Sequence, residues 1–275
     1  MNMAIILKER DEEQLYEGRT DTFVKQAGDL GEDIICSILE KNLSDNYLLI
    51  NDLFVRTKEF DMTQLDHALI HESFILCIET KHYSGEAKAL DSNTWELNGR
   101  NKNYTLNSPQ LQSLTHAMHL SSFLKEYNIN LPIYAAVVLV SDNRCTFNQT
   151  SDTYFREKCP VIYGKELIPF IRCIEDKCKQ VNQKQDTKKV ADLILSEHEG
   201  IKGSTLYQCK KAAVNENDQE ALFLLGKMFI QGFFQYGDEA AVRVKKDEKA
   251  GRMYLRKAMN LGYQSARDFY REINQ

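Results

Sequence analysis

Two rhythms of apolar and polar positions run along this chain. Between Gly28 and Asn42, Ile34, Ile35, Ile38, Leu39 and then Leu43 recur at helical spacing, which predicts a helix with one buried stripe. Tyr47–Val55, Thr63–Ile70 and Phe74–Tyr83 are short, apolar and β-rich, and they predict three strands, the last two joined by His71–Ser73. Residues 84–108 are polar, with a small hairpin around Trp95–Lys102. Helical spacing returns over Pro109–Tyr127, with Leu111, Leu114, Met118 and Leu120 or Ser121 along the inner side. Ile133–Val140 is almost wholly apolar, as expected of a central strand covered on both faces. Pro160–Tyr163 reads as an edge strand and Gly164–Lys179 as a helix, while the charged residues 1–28 hold a short helix. Helix, three strands, helix, strand gives a sheet with helices on its faces, of the α/β or α+β class.

Residues 180–204 open with a polar, Lys-rich stretch, and a domain boundary is placed there. The remainder shows helical patterns only and repeats at an offset of 45 residues. Ala213 matches Ala258, Ala221 matches Ala266, Lys211 matches Arg256, and Leu224 matches Phe269. Small residues at fixed intervals let helices pack closely in an array. Fewer than two units are present, so this part needs the preceding domain or another chain to complete its core.

Composition narrows the class. Apolar residues make up 43% and charged residues 27%, ordinary for a globular chain. No apolar run reaches the length of a membrane span, and Lys8–Glu13 interrupts the apolar start before it resembles a secretion signal, so a cytoplasmic location is expected. The seven cysteines are scattered without a CxxC pair and read as reduced thiols. Cys173 and Cys178 have no nearby histidine, which argues against zinc. The net charge of −5 argues mildly against a nucleic-acid coat protein. Residues 181–275 carry +3 against −8 for residues 1–180.

The chemistry lies in the paired strands. A turn centred between Glu72 and Ser73 places residues whose numbers sum to 145 opposite each other, so Asp66 faces Glu79. Lys81 lies two residues beyond Glu79 and projects from the same face. Two carboxylates suit a hard divalent cation, and a lysine suits the negative charge that grows on a phosphoryl group. The spacing alone leaves open a plain Asp–Lys–Glu network on a solvated sheet face. Position favours function, because Glu79 follows the apolar run Phe74–Ile78 and burying charge there is costly.

Gly31-Glu32, Thr63-Gln64-Leu65-Asp66-His67, Ile78-Glu79-Thr80-Lys81-His82-Tyr83-Ser84-Gly85, Trp95 and Asn107-Ser108-Pro109-Gln110-Leu111-Gln112 occur in this order. Together they resemble the NERD family, the nuclease-related domain of the PD-(D/E)xK superfamily. The resemblance implies an α/β, restriction-endonuclease-like core of order αβββαβ within residues 1–180, a linker or helix over 181–204, and a metal-dependent nuclease of the Mg²⁺ or Mn²⁺ type. It implies that Asp66 and Glu79 are the principal metal ligands, that the Thr80 carbonyl and Glu32 assist, and that Lys81 is the catalytic lysine. Gln112 would orient the substrate or the lysine. His116, one turn later, stands where exonuclease-like relatives often carry a tyrosine, and receives no role. The family pattern is departed from at Leu65, where the wider superfamily has proline, and at His82, where asparagine is usual. The core catalytic groups are all present.

His67 alternates away from Asp66 and reads as a packed histidine. His82 and Tyr83 either line a phosphate path or end the strand. Trp95 reads as a packing residue before a base-stacking one, Gly85 as a backbone requirement, and Gln110 as less inward than Gln112. Asp218–Gly232 and Lys246–Ala266 resemble the two helices of a Sel-one-like repeat, with a lengthened loop between Gly232 and Lys246. That likeness implies protein binding or self-association through residues 205–275. The whole reads as a DNA nuclease of loose sequence specificity tethered to helical repeats, with defence against phage or plasmids as an analogy. The alternatives are a non-catalytic nucleic-acid-binding or scaffold protein, and a nuclease that acts only when a partner arrives.

Overall fold

The computed structural model describes residues 3–11, 22–56, 62–99, 102–140, 145–148, 153–179, 184–238 and 241–274. They divide into two compact units. The first takes residues 3–10, 22–55 and 64–196, and the second takes residues 11, 56, 62–63 and 197–274.

In the first unit a six-stranded mixed sheet is ordered β1-β2-β3-β4-β8-β10. It is formed by β1 (Ile5–Lys8), β2 (Leu48–Arg56), β3 (Met62–His71), β4 (Phe74–Lys81), β8 (Ile133–Leu139) and β10 (Val161–Tyr163). β4 pairs antiparallel with β3 and parallel with β8. It is therefore the central strand, and its first seven residues are buried. The β3–β4 register is the expected one: His67, Ala68, Leu69, Ile70 and His71 face Ile78, Cys77, Leu76, Ile75 and Phe74. Helix α1 (Thr22–Asn42) covers one face through Ile35 and Leu39, which share a core with Leu76 and Ile78. Helix α2 (Pro109–Glu126) covers the other through Ala117 and Leu120, which share a core with Ile75 and Cys77. Each such fully buried aliphatic side chain contributes about 1.5–3 kcal/mol.

Three local features differ from the sequence expectation. The start of the chain holds the strand β1, parallel to β2. The short helix expected in residues 1–28 falls partly on positions 12–21, outside the described residues, and α1 begins at Thr22 rather than Gly28. The polar stretch after β4 forms more than a hairpin. Strands β5 (Gly85–Ala89), β6 (Thr94–Asn98), β7 (Asn103–Asn107) and β9 (Cys145–Asn148) make a second sheet ordered β7-β6-β5-β9. Gly85 opens it at φ +111, with the Asn98 carbonyl lying where a Cβ would stand. Trp95 is wholly buried and stacks on Phe147 at 4.6 Å, which makes it a packing residue. The chain continues through α3 (Thr153–Lys158), α4 (Leu167–Lys179) and α5 (Thr187–Lys202).

The second unit is helical. It contains α6 (Thr205–Asn215), α7 (Gln219–Gln231), α8 (Glu248–Asn260) and α9 (Gln264–Glu272), with a two-stranded ribbon of β11 (Phe233–Phe234) and β12 (Val242–Arg243) between α7 and α8. Asp218 and Asp247 cap α7 and α8 by accepting hydrogen bonds from the N–H groups of Ala221 and Ala250. The four alanines related by the 45-residue offset, Ala213, Ala221, Ala258 and Ala266, are all buried. Helices α7 and α8 approach closely because two glycines meet. A Cβ on Gly226 would lie 2.7 Å from Leu255 Cγ, and one on Gly251 would lie 2.9 Å from the Gly226 carbonyl oxygen.

Gly226→Ala should therefore cost about 1–3 kcal/mol through overpacking. Gly28→Ala, in a helix with open space around the position, should be neutral or stabilising by up to about 1 kcal/mol. Urea unfolding of both variants checks the contrast.

His71 supplies a pH test. Its ring stacks on Tyr47 at 4.8 Å and lies 5.0 Å from Phe74. Burial lowers its pKa, aided by Lys184 and Arg172 and opposed by Glu175 and Glu72. The unfolded chain therefore takes up the proton first, and stability falls as pH drops below the ordinary histidine value. His71→Phe, which keeps the ring contacts, should lose less stability than wild type between pH 7 and pH 5 in urea titrations.

Candidate active site

The site forms where the β3–β4 ladder ends. Pairing stops at His67 and Ile78, and one residue further along Asp66 and Glu79 lie on the α2 side of the sheet. Asp66 takes over the missing rung with its side chain: the Thr80 N–H donates to Asp66 Oδ2 at 2.7 Å. Glu79 is 1% exposed. Its Oε1 accepts from Lys81 Nζ at 2.5 Å. Its Oε2 is buried and has no hydrogen-bond partner. Lys81 keeps 22% of its side chain exposed, so the group opens to solvent at the lysine.

The electrostatics follow from burial. The pKa of Asp66 is raised, first by desolvation and then by the Glu79 carboxylate, with Lys81 and the Thr80 N–H opposing. Desolvation also raises Glu79 against the pull of Lys81. Burial works against the Lys81 charge, but Glu79 and Asp66 outweigh it and hold the ammonium protonated. Two carboxylates crowded in this way are costly to ionise together, and a divalent cation would relieve the cost.

Two further residues join the group. His116 comes from α2, is 4% exposed, and sets its Nδ1 3.6 Å from Glu79 Oε2. That distance exceeds a hydrogen bond. Burial lowers the His116 pKa to about 4, with Lys81 and His119 acting in the same direction and Asp66 against it, so the ring is neutral and the pair is no salt bridge. Tyr83 stands close enough to Lys81, Glu79 and Asp66 for each to act on its phenol, whose pKa burial raises. The sequence left Tyr83 undecided and gave His116 no role. The signals for His116 were its spacing of four from Gln112 and its place where exonuclease-like relatives often carry a tyrosine.

The inward face of α2 corrects the sequence reading. Leu111 and Met118, expected inside, are 38% and 48% exposed, and Gln112, also expected inward, is exposed. The buried residues are Pro109, Gln110, Ser113 and His116 in the first half of the helix and Ala117, Leu120, Phe123 and Leu124 in the second. Gln110 Nε2 donates to the Cys159 carbonyl at 2.7 Å and Ser113 Oγ to the Ala136 carbonyl at 3.4 Å. Ser108 caps the helix by accepting from the Leu111 N–H, with Pro109 in the first turn. The hydrophobic pattern misplaced the face because the turn nearest the site buries polar groups.

Glu32 sits on α1, which covers the opposite face, half-buried and close enough to Arg10 to raise the guanidinium pKa. Gly31 brings this part of α1 against the end of β4: a Cβ there would lie 3.1 Å from His82 Cβ and 3.4 Å from Thr80 Cγ2. His82 Nδ1 lies 2.9 Å from the Ala27 carbonyl oxygen and ties strand to helix. His67 is buried, its Nδ1 2.8 Å from Asn51 Oδ1, as a packed histidine should be. The structure thus brings together Asp66, Glu79, Thr80 and Lys81 of the expected residues, and leaves Glu32 and Gln112 outside that hydrogen-bonded group. Among the described residues, no three His, Cys, Asp or Glu side chains already stand ready to hold a metal ion.

Residues 27–140 match the model of the NERD family, the nuclease-related domain. A nuclease-related domain is thus detected over less than half of the chain, and that stretch includes all of the site. An uncharacterized protein of Bacillus anthracis is 34% identical over 61 residues, covering 22% of this chain and 29% of that protein. The chain thus spans well under two thirds of that relative. No solved structure matches. No helix among the described residues is long and apolar enough to cross a membrane.

Removing one member of the buried pair should be worse than removing both. Lys81→Met leaves Glu79 without its counter-charge and should cost about 3–5 kcal/mol, while Lys81→Met with Glu79→Gln should recover most of that loss. Urea unfolding at neutral pH without added metal reads the difference.

Proposed function

We propose that this chain is a metal-dependent nuclease that hydrolyses DNA phosphodiester bonds with a PD-(D/E)xK-type site. One observation carries the reading: two carboxylates and a lysine converge at the end of the central strand, and one buried carboxylate oxygen, Glu79 Oε2, lacks a partner. The nuclease-related domain over residues 27–140 supports it, as does the order α1, β2, β3, β4, α2, β8 around the six-stranded sheet, with β5–β7 inserted before α2.

The donor set fits a divalent cation. Asp66 and Glu79 would hold it, with the Thr80 carbonyl as an added oxygen and Glu32 acting through water. When bound, Mg²⁺ or Mn²⁺ would polarise the phosphoryl group and acidify water beside it. The remaining work belongs to the chain. The Thr80 N–H fixes one oxygen of Asp66 and leaves Oδ1 for binding. Lys81, protonated and partly exposed, stabilises the negative charge that grows on the phosphoryl oxygens. Tyr83 keeps its proton and lines the approach to Lys81. Gln112, exposed one helical turn before His116, contacts substrate rather than the lysine. The helical second unit serves as Sel-one-like repeats that bind a protein partner.

Supercoiled plasmid and linear duplex, incubated with Mg²⁺, Mn²⁺ or chelator, test the reading. Cleavage should require metal and fall by at least about 10²-fold in Asp66→Ala and Lys81→Ala. Full cleavage by either variant would overturn the assignment. Binding without cleavage in every metal would replace it with a non-catalytic module.

A further inference from the structure

The contact between α2 and Glu79 leaves a buried carboxylate oxygen unmatched beside a buried imidazole. Glu79 Oε2 is buried without a hydrogen-bond partner, and the nearest ring nitrogen, His116 Nδ1, stands 3.6 Å away on a side chain 5% exposed. The gap is too long for a hydrogen bond. It is the right size for something else. Two donor atoms held about 2.1 Å from one ion stand roughly 3.0–3.6 Å apart at angles between octahedral and slightly wider than tetrahedral. The other Glu79 oxygen is occupied by Lys81, so Oε2 is the atom left to coordinate. Asp66 acts on His116 electrostatically, which places the second carboxylate in the same neighbourhood.

We infer that His116 is a metal ligand: Glu79 Oε2 and His116 Nδ1 form a mixed oxygen–nitrogen seat, which selects a first-row transition-metal dication over magnesium. The inference rests on the metal-dependent reading above and narrows it. Oxygen-only sites favour magnesium, whereas an imidazole nitrogen adds affinity for first-row transition metals and little for magnesium. The sequence gives no sign of this, because the partners are separated in the chain and meet only when α2 packs on the sheet.

The probe is Mn²⁺ on the full chain without nucleic acid. Mn²⁺ should bind at least tenfold more tightly than Mg²⁺ in a competition titration followed by Mn²⁺ paramagnetic resonance. Electron spin-echo modulation of the bound Mn²⁺ should show the ¹⁴N coupling of a coordinated imidazole. His116→Gln, checked for fold by circular dichroism, should lose that coupling and most of the Mn²⁺ advantage, while His119→Gln should keep both. Absence of ¹⁴N coupling in the wild type, its persistence in His116→Gln, or failure to bind Mn²⁺ would each overturn the inference. The nuclease reading stands or falls separately. Mg²⁺-supported cleavage that requires Lys81, with no ¹⁴N coupling, would keep the enzyme and discard the histidine ligand.

Discussion

A carboxylate near the end of the central strand of a six-stranded sheet sets the terms for everything around it. Glu79 is nearly without solvent, and an isolated charge in such a place is too costly to keep. Two observed features offset the cost, and the proposed cation would be a third. Lys81, two residues on, brings a positive charge from the same face. The ladder between β3 and β4 stops at His67 and Ile78, which frees the Thr80 N–H to neutralise part of the charge on Asp66. A cation would supply the remainder. Replacing a buried ion pair by well-packed apolar residues is often neutral or stabilising, so two acids beside one base contribute little to stability that apolar packing could not.

The helices on either face serve this strand end in different ways. Helix α1 comes close through Gly31, whose missing side chain lets the helix lie against Thr80 and His82, and His82 fastens the contact through the Ala27 carbonyl. Helix α2 instead turns a polar edge inward. Gln110 and Ser113 spend their hydrogen bonds on the carbonyls of Cys159 and Ala136, which locks the helix in place, and His116 is then held over Glu79. The burial of these polar groups leaves Leu111 and Met118 on the outside.

Much of this was legible before any coordinates. The fully apolar runs marked β4 and β8 as central strands, because a strand covered on both faces has no solvent side to mark by alternation. The turn at His71–Ser73 fixed the register, because a two-fold side-chain period leaves few pairings that keep apolar residues inside. Asp66, Glu79 and Lys81 were therefore identifiable as neighbours from their numbering alone. The second sheet was harder to see. β5 and β9 pair in parallel with Gly85 against Cys145, 60 residues further along the chain, and their short polar segments show no period strong enough to declare a strand.

Sequence thus determined what is local or periodic: the strands β2, β3, β4 and β8, the register of β3 on β4, the buried alanines of the second unit, and the carboxylate–lysine set that one hairpin creates. Tertiary structure decided what depends on which side of an element faces in. Hydrophobicity predicts that side only where apolar groups fill it. Along α2 the inner turn is filled by hydrogen-bonded polar groups, so Gln112 and Gln110 exchanged their expected places and His116, rather than a glutamine, came to stand beside Glu79.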